Sequence, residues 1–168
     1  MKFDVTYNLT ELRELAKKYP KIVEDETVST LTRIVTRMES ETVERTPAGV
    51  GGAAGLRGSV HGGVMRQGKS FRGFWGTPLE YGEVIEEGRR PGKAMPPVHP
   101  IALWARSKLG VPTDEAESAG FAIARKIAVY GFEGAHMFEE AWEANEKWVQ
   151  DQLYGIVDRV VERIERGT

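Results

Sequence analysis

Between Pro20 and Arg45 the apolar residues Val28, Leu31, Ile34, Val35, Met38 and Val43 recur at three- and four-residue intervals, the period of one helical face. The spacing predicts a helix over residues 20–45. Pro20 suits its first turn, where a missing N–H costs nothing, and Thr46-Pro47 ends it. The other side is rich in hydroxyls (Thr27, Thr30, Thr32, Thr36, Ser40, Thr42), which are mediocre helix formers, so packing of the Leu31–Met38 face must stabilise the helix. Upstream, Phe3, Val5 and Tyr7 alternate with polar residues and mark a half-buried strand over residues 2–7. Leu9, Leu12, Leu15 and Ala16 mark a short helix of about 9–18, which stops because Tyr19 precedes a proline.

Past Pro47 the pattern changes. Gly49-Val50-Gly51-Gly52-Ala53-Ala54-Gly55 is a glycine-rich turn, and residues of about 56–77 read as a hairpin reversing at Gln67-Gly68-Lys69-Ser70. Leu79–Glu87 forms a short helix or turn, and residues 88–97 form a basic, proline- and glycine-rich loop. Helical spacing returns over about 99–109, which holds Ile101, Trp104 and Leu109 and stops at Gly110. It returns again over about 114–130, where Asp114, Glu115 and Glu117 sit at the positive end. The longest helix is expected over about 135–166, striped by Phe138, Trp142, Val149, Leu153, Ile156, Val157, Val160 and Ile164, with Trp148 and Tyr154 off the stripe. At about 1.5 Å per residue it would run roughly 45–50 Å. Gly155 is the place for it to bend. The expected fold is α+β in a single domain: a small antiparallel sheet, made of the hairpin and the N-terminal strand, packed with a long N-terminal and a long C-terminal helix.

Composition adds limits. In 168 residues, 40% hydrophobic and 29% charged is a globular balance. No run approaches the roughly 18–20 apolar residues that cross a bilayer, and Met1-Lys2-Phe3-Asp4 lacks a signal-peptide apolar region, so no membrane partner is expected. Without cysteine, disulfides and thiolate metal sites are excluded. The net charge of −2 is unevenly spread: residues 56–112 carry 9 basic and 4 acidic side chains, residues 113–168 carry 6 and 12. Such asymmetry suits steering between surfaces, of two copies or of the chain and a polyanion.

Candidate chemistry is sparse. The glycines after Pro47 follow a helix and precede a strand, the reverse of a dinucleotide fingerprint, and no Gly-Lys-Ser/Thr of a P-loop follows, so no cofactor is expected. Glu80, Glu83, Glu86 and Glu87 form the densest carboxylate cluster, but no Glu-x-x-His or His-Glu-x-x-His accompanies them, and His61, His99 and His136 are scattered singly. The hairpin interleaves Arg57, Arg66, Lys69 and Arg72 with aromatics, which fits nucleic-acid binding or a charged edge that keeps two strands soluble.

The order of short motifs resembles the neck and tail-completion proteins of tailed bacteriophages, also described as head–tail joining or minor tail proteins. A long helix ends in Arg45-Thr46-Pro47, and a glycine turn leads to Leu56-Arg57-Gly58-Ser59. Pro78, Tyr81-Gly82, Val84-Ile85-Glu86 and Gly88 then match a Pro-Tyr-Ala-x-x-Val-Glu-x-Gly block. Pro96-Pro97, Trp104 and Lys108-Leu109-Gly110 follow. The likeness covers residues 40–110. It departs from the family pattern in the expanded turn Val50–Gly55 and in Leu79-Glu80, which intrudes between the proline and the tyrosine.

The resemblance implies a non-catalytic virion protein, assembled in the host cytoplasm into a six- or twelve-fold ring at the head–tail junction. Its partners would be itself, the neighbouring connector or head-closure protein, and a tail-terminator or tail-tube protein. Double-stranded DNA would pass without sequence-specific contact. On this reading Tyr81, Glu83, Glu86, Glu87, Arg89 and Arg90 are interface candidates. Arg57, Arg66, Lys69, Arg72 and Lys93 face either the DNA lumen or a neighbouring subunit, and the loop 88–97 orders only on assembly. Two other readings stand beside it: a carboxylate-dependent hydrolase using Glu80, Glu83, Glu86 or Glu87, and a small nucleic-acid-binding module using the hairpin.

Overall fold

The computed structural model describes residues 10–49, 55–68 and 70–167. The expected N-terminal strand and most of the glycine turn lie outside them. The fold is mixed: helices dominate, and there are two small antiparallel sheets of two strands each. The chain divides into two compact units.

The first unit comprises Met1–Thr42, His61–Gly76 and Glu139–Thr168. Its frame is α1 (Thr10–Lys18), most of α2 (Pro20–Arg45), the hairpin β1 (His61–Gln67) and β2 (Ser70–Gly76), most of α7 (Met137–Tyr154), and α8 (Ile156–Arg166). Ile34 and Met38 of α2 pack with Ala141 and Val149 of α7, and Trp75, Trp142, Trp148 and Leu153 surround them. The rings of Trp75 and Trp142 stack 6.3 Å apart, within the range of favourable offset aromatic pairs. A second cluster joins Val23 to Ile156 and Val160, with Leu12 and Leu15 of α1 packed against it. Trp148 is off the predicted stripe but not idle, since Arg37 lies 4.4 Å over its ring and donates to Asn145 Oδ1 at 2.7 Å.

The hairpin pairs His61 with Gly76 through Gln67 with Ser70. Its glycines let it lie close to α2. A Cβ on Gly62 would stand 2.5 Å from a Val35 methyl, and one on Gly73 would stand 2.9 Å from the other. Residues 56–59 are not part of this strand, contrary to the expectation. They form a helical turn, α3 (Leu56–Ser59), because Ser59 N–H bonds back to the Gly55 carbonyl and its hydroxyl closes on the Leu56 carbonyl. The predicted helix 135–166 is broken at Gly155, where the bend was expected. A Cβ there would lie 2.6 Å from Arg159 Nη1, so glycine leaves room for that guanidinium to reach back to the Gln152 carbonyl at 2.7 Å. Arg159 also donates to buried Glu26 at 2.7 Å and to Thr30 at 3.0 Å, binding α8 to α2.

The second unit comprises Val43–Val60 and Thr77–Phe138. It holds α3, α4 (Tyr81–Glu87), β3 (Gly88–Arg89), α5 (Val98–Leu109), α6 (Ala116–Tyr130) and β4 (Phe132–Glu133). Small residues set the approach of α5 and α6: Ala102, Ala105, Ala116, Gly120 and Ala124 are buried, and a Cβ on Gly120 would stand 2.8 Å from the Ala102 backbone. Gly110, at φ +68°, ends α5 by donating to the Ala105 carbonyl. The loop 88–97 is not wholly irregular. Gly88-Arg89 pairs with Phe132-Glu133, and Gly92 N–H donates to the Ala128 carbonyl at 2.8 Å.

Candidate functional site

The motif-bearing stretch lies largely in the second unit, and its side chains bind one another's backbones. Thr46 leaves α2 because Pro47 follows it, and it is fully buried. The Arg57 guanidinium reaches its carbonyl with Nε at 3.0 Å and Nη2 at 2.6 Å, a two-pronged charge-assisted contact. Beside it runs a one-directional chain of hydrogen bonds. Leu79 N–H donates to Thr77 Oγ1 at 3.2 Å, and the Thr77 and Ser59 hydroxyls are hydrogen-bonded at 2.6 Å. Ser59 Oγ donates to the Leu56 carbonyl at 2.8 Å, which commits its proton and makes Thr77 the donor of the pair. Gly82 is buried against this chain. A Cβ there would be 2.5 Å from the Thr77 methyl and 3.4 Å from Leu56, so the first turn of α4 has no room for a side chain at this position.

At the other end of α4 the backbone of Glu86 through Arg90 meets that of Gly131–Phe138. Ala135 N–H donates to the Ile85 carbonyl at 2.8 Å and His136 N–H to the Glu86 carbonyl at 3.1 Å. The Glu86 carboxylate, 3% exposed, accepts the Phe138 N–H with both oxygens at 3.1 and 3.0 Å, in the first turn of α7. An anion at a helix start satisfies an unpaired amide and meets the positive end of the helix. Gly88, Gly131 and Gly134 allow the contact: added Cβ atoms would come within 2.5, 2.0 and 2.1 Å of the facing backbone, and the first two have φ of +77° and +69°. His136, at φ +46°, is the one non-glycine with positive φ among the described residues.

Four of the predicted site residues gather at one surface cleft of about 910 Å³: Glu87, Arg89, Arg90 and Lys93, with Tyr130 and Phe132. Within it Arg89 is half-buried and its Nη2 donates to the Ala94 carbonyl of its own loop, while Glu87, Arg90 and Lys93 are exposed. Tyr81 and Glu83 are exposed on α4. Glu86 is not displayed as an interface residue would be, because it faces inward to Phe138. Arg57 is likewise engaged, on Thr46. Arg66 pairs with Glu24 of α2 at 2.9 Å and lies 5.6 Å over Phe71, Arg72 is exposed on the hairpin, and Lys69 falls outside the described residues.

The four glutamates do not converge. Glu86 points inward while Glu80, Glu83 and Glu87 are exposed, and among the described residues no group of three or more histidine, aspartate or glutamate side chains could hold a metal ion. The sequence reading missed Thr46, Thr77 and the segment Gly131–Gly134 as parts of this arrangement. The two glycines bracketing Phe132-Glu133 were the available signal. Comparison with protein-family models, curated proteins and solved structures gave no match.

Proposed function

We propose that the chain is a structural subunit of a tailed-bacteriophage neck or tail-completion ring, a joint between capsid connector and tail through which DNA passes. One observation carries the reading beyond the order of the motifs. The polar motif residues Arg57, Ser59 and Glu86, with Thr77 beside them, are engaged with backbone or with each other inside one unit. A module stiffened this way suits a load-bearing part, and its remaining polar surface suits contact with other chains. Rings arise when one surface of a subunit meets a different surface of the next copy and the rotation closes.

Of the basic residues singled out in the sequence, Arg57, Arg66 and Arg89 have partners within the chain, and among the described ones Arg72, Arg90 and Lys93 remain for a lumen or a neighbour. Contact with moving DNA would be to phosphates and independent of sequence. Negative-stain electron microscopy of the purified chain tests the reading. Closed rings of six- or twelve-fold symmetry are expected, and a chain that stays monomeric at high concentration, alone and with connector and tail-tube proteins, would overturn it.

A further inference from the structure

Helix α6 of the second unit has an outer face that mixes exposed apolar residues with cations. Phe121, Val129 and Tyr130 are 50%, 53% and 71% exposed, and Ala122, Arg125 and Lys126 are exposed between them. Residues 118–130 contain no acidic side chain. The face continues onto the cleft, where Tyr130 stands with Arg90 and Lys93 and the loop is tied to α6 through Gly92 and Ala128. Single exposed apolar residues are ordinary, but three on one helix amid uncancelled cations mark a surface that meets something.

The other end of the chain carries the complement. The exposed positions of α8 are Asp158, Val161, Glu162, Glu165 and Arg166, and Tyr154 precedes them on α7. Tyr154 is 59% and Val161 39% exposed. The helical register carries through the Gly155 break, since Gly155 N–H bonds to Asp151 and Arg159 N–H to Gly155, so Tyr154, Asp158, Val161 and Glu165 form one stripe. The cation Arg166 is already paired with Glu162 at 3.4 Å, and on α7 Lys147 is paired with Asp151 at 3.6 Å. The result is an acidic stripe with two apolar residues seven apart, about 10–11 Å along the axis, while α6 carries a cationic stripe with two apolar residues eight apart, about 12 Å.

We infer that α6 of one copy docks on the acidic α7–α8 stripe of a second copy, with Phe121 and Val129 against Tyr154 and Val161 and with Arg125 and Lys126 among Asp158, Glu162 and Glu165. The contact is heterologous, so each copy keeps one free surface of each kind and association continues until a ring closes or a filament forms. This rests on the reading of the chain as a self-assembling subunit and adds which surfaces meet.

A charge swap tests it, read by sedimentation velocity with circular dichroism as the check on folding. One variant carries Arg125→Glu and Lys126→Glu, the other Asp158→Lys and Glu162→Lys. Each alone is expected to self-associate about a hundredfold or more weaker than the native chain, because like charges then face each other. Mixed in equal amounts they should assemble again, since the reversed faces complement one another and the untouched faces still match. Native rings with variants that assemble unchanged would overturn this interface and leave the ring reading standing; a native chain monomeric under every condition would overturn both. Lost duplex-DNA binding in the first variant, with self-association intact, would assign α6 to nucleic acid instead.

Discussion

Gly131 holds a position that no other residue could hold without moving the backbone. Its φ is +69°, and an added Cβ would stand 2.0 Å from the Arg89 carbonyl oxygen, an atom fixed in the β3–β4 pair. With ψ at −164° this is a backbone region that glycine almost alone adopts, costing an L-residue about 1–3 kcal/mol, and the clash is with backbone rather than with a movable side-chain tip. Gly131→Ala should therefore lower stability by about 2–4 kcal/mol in urea unfolding. A loss within about 0.5 kcal/mol, the range of ordinary surface changes, would mean that the pair is not formed in solution. Glu86 makes a second residue-scale case. Glu86→Ala removes the acceptor of a part-buried amide and should cost about 2–3 kcal/mol, whereas Glu86→Gln keeps an acceptor oxygen and should cost about 1. Equal losses in the two variants would show that shape, not hydrogen bonding to Phe138, is what Glu86 supplies. The glycines at 131 and 134 were a signal in the sequence, but the role of Glu86 was not legible there. Glu86 stands in a run with Glu83 and Glu87, and only the return of the chain 52 residues later distinguishes it.

The long helices were legible because an apolar face that repeats over five or more turns leaves few alternatives, and α2 runs over the residues its periodicity predicts. The pair β3–β4 was not. Two residues have no period, and the partner lies some 44 positions away, so the loop 88–97 looked free when its first half is anchored. The Gly92 amide, bonded to the Ala128 carbonyl, should exchange slowly with deuterium in the free chain; exchange at the unprotected rate would return the whole loop to an order-on-assembly role. The break at Gly155 has a similar hidden cause, the Arg159 guanidinium. Glu26 is buried and takes Arg159 at 2.7 Å, with Arg33 at 3.7 Å, so removing Arg159 leaves a carboxylate short of its main partner. Arg159→Ala should cost about 3 kcal/mol. The pair Glu26→Leu with Arg159→Met should cost less than the sum of its parts, with a coupling of about 1–3 kcal/mol in a double-mutant cycle. Simple additivity would show that the clamp between α2 and α8 rests on Ile156 and Val160 instead.

At the scale of the whole molecule, folding rearranges the charge pattern that the linear sequence displays. The basic middle, residues 56–112, is shared between the two units: Arg66 and Arg72 go to the unit that also holds the acidic α7 and α8, and Arg57, Arg89, Arg90 and Lys93 go to the other. By unit, the counts become 14 basic and 16 acidic against 9 and 9, so neither unit is a polycation that would hold DNA by bulk charge. What survives is local: a cationic α6 and an acidic α7–α8 stripe, each with apolar residues set among the charges. Both forces can act across such a contact, and salt separates them. Between 0.1 M and 1 M sodium chloride the screening length falls from about 10 Å to about 3 Å, which removes steering between exposed charges but leaves apolar contact in place, and sulfate strengthens apolar burial. If charge governs the association, the assembled fraction in sedimentation should fall steadily over that range in chloride and not return in sulfate. Assembly that holds in chloride and grows in sulfate would make Phe121, Val129, Tyr154 and Val161 the dominant contacts. Phe121→Ser would then weaken the ring more than the charge reversals do.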